Sequence, residues 1–246
     1  MEHDLVLKQK QDIELTKLAY SYSQKVYSHN EIIAVLLQND EIEKQICIIN
    51  LENLNSEEEA KLLTSHLTNH PTPVREITSY KILEFLSSGK HSEYFQDENT
   101  LNIFLAGVVD INPAVSRNVI GILEYIENRK YCINSLKSRI NALLKEINDI
   151  PKNKSYLANK KNFSLYWYLE ALYVFLKREN PDEEIISILD ICSKSCEYTI
   201  REKCAKIASL FKQNVNVREI FNRLALDENF YVRNNSQKFS KECGID

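Results

Sequence analysis

One short phrase recurs along this chain in variant spellings, over 69–75, 110–116, 195–201 and 227–233. Each copy places a short polar residue five positions before a β-branched aliphatic residue, and three of the four copies then place arginine directly after it. The aliphatic residues are Val74, Val115, Ile200 and Val232. Repetition of a phrase at such intervals is typical of solenoid proteins, in which each copy is one supersecondary unit packed on its neighbours.

The phrase has a physical meaning at the start of a helix. A short polar side chain can accept hydrogen bonds from the first free N–H groups, so we expect Asn69, Asp110, Ser195 and Asp227 to cap helices. Proline is tolerated in the first turn, where these copies carry it at 71, 73 and 113. Four positions after each aliphatic residue the chain has a compact side chain, which allows close helix packing. These residues are Thr78, Val119, Cys204 and Ser236.

The aliphatic residue of each copy is the first residue of an apolar stripe along one helix face, and we call it the anchor of that stripe. From Val115 the apolar stripe continues at the following positions of a single helix face: Val119, Ile122, Leu123 and Ile126. The same spacing places two weaker anchors, at Ile42 (with Ile46 and Ile49) and at Leu165 (with Leu169, Leu172, Tyr173 and Leu176). With 4 glycines and 5 prolines in 246 residues, the turns of a β-rich fold would be hard to build. The sequence therefore predicts an all-α chain of about six helix pairs preceded by one helix.

These residues resemble the HEAT repeat family. The family phrase is nearly complete over 110–119, and the arginine missing there is present in the other copies, as Arg75, Arg201 and Arg233. The resemblance implies a right-handed α-α superhelix whose second helices line a concave face. It also implies that the aspartates and arginines, here Asp110 and Asp227 with those three arginines, pair between adjacent repeats as scaffold. It implies no reaction and no cofactor.

The domain organisation predicted from this resemblance is a single repeat domain over 1–246. Within it we expect an N-terminal cap over 1–29, repeats over 30–127, a longer repeat with a basic insert over 128–180, and repeats with a C-terminal cap over 181–246. The leading helix should cover the first repeat with Leu5, Leu15 and Leu18, because an uncapped solenoid exposes its core. A chain that starts at Glu31 should then aggregate or melt at a lower temperature.

Few residues have a spacing that indicates chemistry. His66 and His70 stand four apart and His91 lies further on, but no glutamate sits between them as in a zinc helix, so we interpret them as helix-end partners. The six cysteines are scattered, mostly at helical core positions and without the spacing of a disulfide framework, which favours a reducing, cytoplasmic setting. With so few glycines, a phosphate-cradling loop is not expected. We predict no catalytic residue, no metal and no cofactor, no membrane span, and no signal peptide.

The segment 163–176 carries more aromatic residues than a core stripe needs. Leucines at 165, 169, 172 and 176 already fill that stripe, so Tyr166, Trp167, Tyr168 and Phe175 are expected to project on other sides. Two interpretations stay open at this stage. Either the helix predicted over 131–149 covers these rings, or they form an aromatic anchor for a partner in the concave groove.

Charge is distributed unevenly. Residues 1–123 carry 10 basic and 18 acidic side chains, whereas residues 124–246 carry 21 and 17, and nine basic residues fall within 129–161 alone. Such a run is usually a solvated face, yet this one adjoins the aromatic segment. The candidate partner-binding residues are Trp167, Tyr168, Phe175, Tyr80, Tyr125, Arg129, Lys130, Lys160 and Lys161.

Three function classes follow. The first is a non-catalytic scaffold or adaptor that binds another protein or an acidic peptide, which suits a solenoid with a net charge of −4. The alternative is a nucleic-acid-binding module, similar to the HEAT-like DNA glycosylases, that uses the basic stretch and Trp167. A third class, a lyase or chaperone acting on phycobilin-bearing proteins, rests on the repeat resemblance alone.

Overall fold

The computed structural model describes residues 2–211 and 213–242, with side chains placed for all of these except 2–11, 152, 153, 155 and 239–242. Every regular element in these ranges is a helix. The α-helices are α1 (Glu2–Ser23), α2 (His29–Leu36), α3 (Glu41–Asn50), α4 (Glu57–Ser65), α5 (Thr72–Ser87), α6 (Glu98–Gly107), α7 (Pro113–Leu123), α8 (Arg129–Asn148), α9 (Asn159–Leu176), α10 (Glu183–Cys192), α11 (Tyr198–Ala208), α12 (Val215–Ala225) and α13 (Phe230–Glu242). Short 3₁₀ turns span Ser92–Phe95, Lys152–Ala158 and Ser209–Phe211. The predicted all-α fold is confirmed.

The chain forms two compact units. The first contains the described residues up to Gly107 together with Asn112–Tyr125, and the second contains Val108–Ile111 together with the described residues from Ile126 onward. The division of the chain into a cap and repeats within one domain stays a prediction.

In the first unit the helices pack as two parallel rows. The first helices of the pairs, α2, α4 and α6, contact one another in order, and so do the second helices, α3, α5 and α7. Each first helix also contacts its own second helix, and α1 packs against α3.

The second unit repeats this layering. Here α8, α10 and α12 form the row of first helices, and α9, α11 and α13 form the row of second helices. Within the pairs α8 lies against α9, α10 against α11, and α12 against α13. Each unit therefore holds three helix pairs whose second helices lie side by side.

The anchors of the repeated phrase lie where the sequence predicts. Val74, Val115, Ile200 and Val232 are fully buried, each near the start of a second helix. The compact residues four positions later are fully buried too, which permits close contact between neighbouring second helices. They are Thr78, Val119, Cys204 and Ser236.

In the first pair the predicted register is wrong. Ile49 is half exposed and Ile42 and Ile46 are only partly buried, whereas Cys47 and Ile48 are fully buried. The helix α3 ends at Asn50 and also packs against α1, so its buried face is rotated from the one that the isoleucine spacing suggests.

The helix caps fall two residues later than the phrase predicts. Asn112 caps α7 by accepting from the amide of Ala114, and Glu197 and Asn229 take the same place before α11 and α13. The short polar residues two positions earlier shape the preceding turn instead. Asp227 Oδ1, for example, accepts from the amide of Asn229 at 2.8 Å. Pro71 precedes α5 without a side-chain cap.

The recurrent arginine has a defined structural role. Arg75, Arg201 and Arg233 each donate to the backbone carbonyl five positions earlier, those of His70, Cys196 and Glu228. Each guanidinium thus satisfies carbonyls of the turn that leads into its own helix, where no helical partner exists.

One arginine also links two successive repeats. Arg201 donates from Nε and Nη2 to the two carboxylate oxygens of Asp227, at 2.7 and 2.9 Å, and both side chains are about nine-tenths buried. Burial alone would raise the pKa of Asp227, but the hydrogen bonds from Arg201 outweigh it and hold this pKa below its ordinary value. An Asp–Arg pair of the kind that the resemblance implies thus joins the pair α10/α11 to the turn before α13.

The N-terminal helix is attached differently from our expectation. Leu15 is 51% exposed and Leu18 37%, and the side chain of Leu5 lies outside the described residues. The attachment is polar, because Tyr22 donates to Asp40 at 2.8 Å and Tyr27 donates to Glu43 at 2.8 Å. Asp40 also caps α3. Its hydrogen bond with Tyr22 therefore joins the end of α1 to the start of α3, the second helix of the first pair.

Among the described residues, every helix falls short of the length and apolar character needed to cross a bilayer.

Truncating a buried anchor should weaken the packing between second helices. Val115→Ala is expected to lower the free energy of unfolding by roughly 1–3 kcal/mol, through two lost buried methyl groups and the cavity they leave. Val26, in the same unit, is almost fully exposed, so Val26→Ala is the matched control and should have little effect. The measurement is chemical denaturation; equal midpoints for wild type and Val115→Ala would contradict the register.

Candidate functional site

The aromatic helix α9 is buried on more than one side. It packs against α8 on one flank and against α11 on the other. Tyr168 is 7% exposed and Phe175 is 2% exposed, and Tyr168 Oη accepts a long hydrogen bond from Arg139 of α8 at 3.5 Å. The expectation that Tyr168 and Phe175 project from the core is therefore wrong, because α8 covers that side of α9.

The other flank of α9 carries a cluster of charged and aromatic side chains. Glu170 accepts from Lys203 at 2.5 Å and from Lys206 at 2.6 Å, one lysine on each carboxylate oxygen. The Nζ of Lys203 stands 4.5 Å from the ring centroid of Tyr166, and that of Lys206 stands 4.2 Å from Tyr173. We call these five residues the lysine–tyrosine face.

The repeat register positions this face. Lys203 lies three residues after its anchor and Glu170 lies five residues after its own, on the preceding second helix. The same two positions in the first unit hold Asn118 and Ser79, and Asn118 Nδ2 donates to Ser79 Oγ at 3.0 Å. The equivalent side-chain contact between neighbouring second helices is thus uncharged in the first unit and charged in the second.

Glu170 and Lys203 keep their charges at neutral pH. Burial would raise the pKa of Glu170, but the hydrogen bonds and charges of Lys203 and Lys206 hold it below its ordinary value. Burial would likewise lower the pKa of Lys203, yet its bond to Glu170 keeps that pKa above the ordinary value. A carboxyl that stays ionised is a poor general acid, and an ammonium that stays protonated is a poor nucleophile. The cluster is therefore suited to recognition by charge and rings.

Two further residues border the face. Lys177, the residue that follows the last turn of α9, has its Nζ 5.2 Å from the ring centroid of Tyr173. Trp167 is partly buried beside Phe163 and Tyr166, with edge-on ring contacts to both. Its indole Nε1 is buried and has no hydrogen-bond acceptor. The Trp167 ring thus packs against two aromatic rings and is only partly exposed to solvent.

Part of the basic stretch is engaged by acidic neighbours. Lys137 is buried and contacts Asp182 and Glu184 at 2.7 Å each, and Lys161 pairs with Glu146. Of the other predicted contact residues, Lys130 and Lys160 are exposed and Arg129 is partly buried at the start of α8. The grouping of Arg129, Lys130, Lys160 and Lys161 beside Trp167 stays a prediction.

The remaining predicted contact residues, Tyr80 and Tyr125, belong to the first unit, and both are exposed. The lysine–tyrosine face belongs to the other unit. An aromatic track that includes them stays a prediction.

The histidines with ligand-like spacing have structural contacts. His66 and His70 stack with ring centroids 4.6 Å apart, and the two ring nitrogens of His66 contact the backbone carbonyls of Leu62 and Leu36 at 2.8 and 3.0 Å. Burial lowers the pKa of His66 and favours its neutral form. Over residues 2–211 and 213–242, no three His, Cys, Asp or Glu side chains are grouped as metal ligands would be.

The first unit also contains an open cleft of about 780 Å³, lined by the ends of α1, α3 and α5. Three lysines line it, and each has a partner: Lys25 contacts Glu43 at 3.1 Å, Lys81 contacts Glu84 at 2.7 Å, and Lys90 donates to an asparagine at 3.3 Å. Three helix C-termini meet there, and their partial negative charge disfavours an anion. The cleft therefore has no clear ligand preference.

The residues of the lysine–tyrosine face were missed at the sequence level. Tyr166, Glu170 and Tyr173 share a helix face with Lys177, one residue out of phase with the leucine stripe, and this spacing is a usable signal. The partners Lys203 and Lys206 lie more than 30 residues away, so only the repeat register could have brought them to Glu170.

Comparisons with known proteins give no family. No protein-family model matches the chain, and no curated protein of similar sequence was found. Among solved structures, the crystal structure of an engineered protein aligns with a TM-score of 0.47 at 15% identity, over 89% of this chain and 99% of that one.

Removing the central carboxylate should destabilise the second unit. Glu170→Gln leaves two partly buried ammonium groups without a counter-charge, so the free energy of unfolding at pH 7 should fall by about 2–3 kcal/mol. Glu146→Gln, which breaks the more exposed pair with Lys161, is the matched control and should cost at most about 1 kcal/mol.

The same variant has a pH signature. Because the folded pKa of Glu170 is depressed, its contribution is complete above the ordinary glutamate range and is lost as the pH falls through the folded pKa. The stability gap between wild type and Glu170→Gln should therefore shrink in acid. A gap that is absent at pH 7, or equal to that of Glu146→Gln, would contradict the coupling.

Proposed function

We propose that this protein is a non-catalytic binding scaffold that holds an acidic segment of another protein on the lysine–tyrosine face of its second unit. The observation that carries the proposal is the ordered pair of ammonium groups on Glu170, each set over a tyrosine ring. Lys177, beside Tyr173, adds a third lysine at the border of the face.

We further propose that each unit is a HEAT-like solenoid segment, with a right-handed turn and the second helices on its concave side. The two rows of helices in each unit, the buried anchors, and the Arg201–Asp227 link support this assignment. A row of second helices offers a continuous surface for an extended partner, which is the usual use of such repeats. A cytoplasmic location stays a prediction.

The chemistry of the face favours an anionic partner with apolar side chains. Carboxylates of the partner would meet the lysines, and its apolar groups would lie against Tyr166 and Tyr173. Partly buried tyrosines are frequent in binding hot spots because they bury area at low entropic cost. Electrostatic complementarity then selects the sign of the partner's charge.

Catalysis is not part of this proposal, because ionised Glu170 and protonated Lys203 are arranged as fixed charges. The nucleic-acid alternative depends on the basic stretch, and two of its lysines, Lys137 and Lys161, are engaged with carboxylates. An oligonucleotide therefore serves as the competing ligand in the test.

Charge reversal at the border of the face should weaken binding without unfolding the protein. Lys177→Glu is expected to reduce affinity for a fluorescein-labelled peptide of glutamate and leucine by about fivefold or more, or about 1 kcal/mol. Lys194→Glu is the matched control, because Lys194 is an exposed lysine at the end of α10, in the other row of helices. Fluorescence anisotropy measures both.

Equal weakening by the two variants would contradict a specific face. A labelled single-stranded oligonucleotide should bind weakly even at about 50 mM salt, where phosphate contacts are strong. Oligonucleotide binding that is tighter than peptide binding, and steeply dependent on salt, would favour the nucleic-acid alternative.

A further inference from the structure

A cluster of exposed aromatic rings lies at the start of the last two second helices. Tyr198 opens α11, and Phe230 and Tyr231 open α13. The ring centroids of Tyr198 and Tyr231 are 6.2 Å apart, and those of Phe230 and Tyr231 are 5.7 Å apart. Tyr198 is 39% exposed, Phe230 61% and Tyr231 59%. We call these three residues the aromatic edge.

The fold does not require aromatic residues at these positions. They are the two positions before the buried anchors, which hold Thr72 and Pro73 before Val74, and Pro113 and Ala114 before Val115. Small residues and prolines thus serve the same helix starts in the first unit. Three large rings exposed to solvent in contact with one another are instead typical of interaction sites.

The accessible charged side chains next to the rings are mainly acidic. Glu228 is 93% exposed in the turn before α13, and Glu197 precedes Tyr198 directly. The nearby arginines contact side chains and backbone carbonyls of the protein itself. Arg201 pairs with Asp227 and reaches Glu228 only at 4.0 Å, and Arg233 donates to the carbonyls of the same turn.

We propose that the aromatic edge docks a basic segment of a partner protein, with an arginine or lysine set against the rings of Tyr198 and Tyr231. A guanidinium or ammonium is attracted to the faces of aromatic rings, and the attraction increases as water is excluded. Glu228 and Glu197 then supply the opposite charge at the border. The ligand is thus of the opposite sign to the one that suits the lysine–tyrosine face.

This inference does not rest on the proposed function, since it concerns other residues at the helix starts. If both hold, the second unit binds an acidic segment and a basic segment at separate places, as an adaptor would. Each can fail without the other, because Lys177→Glu changes only the first surface and Tyr231→Ala only the second.

The test uses the full chain and a fluorescein-labelled peptide in which arginine alternates with serine. Tyr231→Ala should weaken binding by about threefold to fivefold, the loss expected for one cation–ring contact at a partly exposed site. Tyr231→Phe keeps the ring and should bind as wild type does. Tyr20→Ala is the matched control, because Tyr20 is a similarly exposed tyrosine of the first unit and lies outside every proposed surface.

A second measurement locates the binding site of the peptide. Cys196 is exposed in the turn that precedes Glu197 and Tyr198, while the other cysteines described by the structure are buried. In a Cys243→Ser background, bound peptide should slow the reaction of Cys196 with a thiol reagent. The proposal is overturned if the peptide fails to bind at about 50 mM salt, if Tyr20→Ala weakens binding as much as Tyr231→Ala, or if Cys196 reacts at an unchanged rate at saturation.

Discussion

The close contact between neighbouring second helices is the constraint on which the rest of this structure depends. A buried aliphatic anchor and a buried compact residue one turn later, such as Val115 with Val119 or Ile200 with Cys204, allow adjacent helices to approach closely. Larger residues at the compact positions would separate the helices and break the packing of the anchors. Because the same spacing recurs, α7 meets α5 and α11 meets α9 at matching positions.

That register explains why polar contacts between second helices recur, and why one of them is different. The residue three positions after an anchor reaches the residue five positions after the preceding anchor, as Asn118 reaches Ser79 and Lys203 reaches Glu170. A neutral contact of this kind links helices and presents little charge. In the second unit the equivalent positions hold lysines on a carboxylate beside tyrosine rings, and this is the surface for which we propose a binding role.

Much of the architecture could be predicted because it is local. The helix stripes, the four anchors of the phrase and the all-α class follow from spacing within single helices. The failures share a different cause, which is contact between segments that are distant in sequence. Tyr168 and Phe175 are buried because α8 packs on α9, and Ile49 is exposed because α3 is rotated by its packing against α1.

The candidate site shows the same contrast between features local to one helix and contacts between distant segments. The phase of Tyr166, Glu170 and Tyr173 on α9 could be read from the sequence, but their pairing with Lys203 and Lys206 depends on the stacking of α9 and α11. The polar attachment of α1 through Tyr22 and Tyr27 could not be foreseen either, because a repeat pattern says nothing about an element outside it.

Hydrogen–deuterium exchange in the presence of an acidic peptide tests the central claim most directly, because it locates binding on the row of second helices. The account predicts slower exchange in the peptic fragments that cover α9 and α11, with α8, α10 and α12 unchanged. Protection of the row of first helices, or of the first unit with α9 and α11 unaffected, would contradict it.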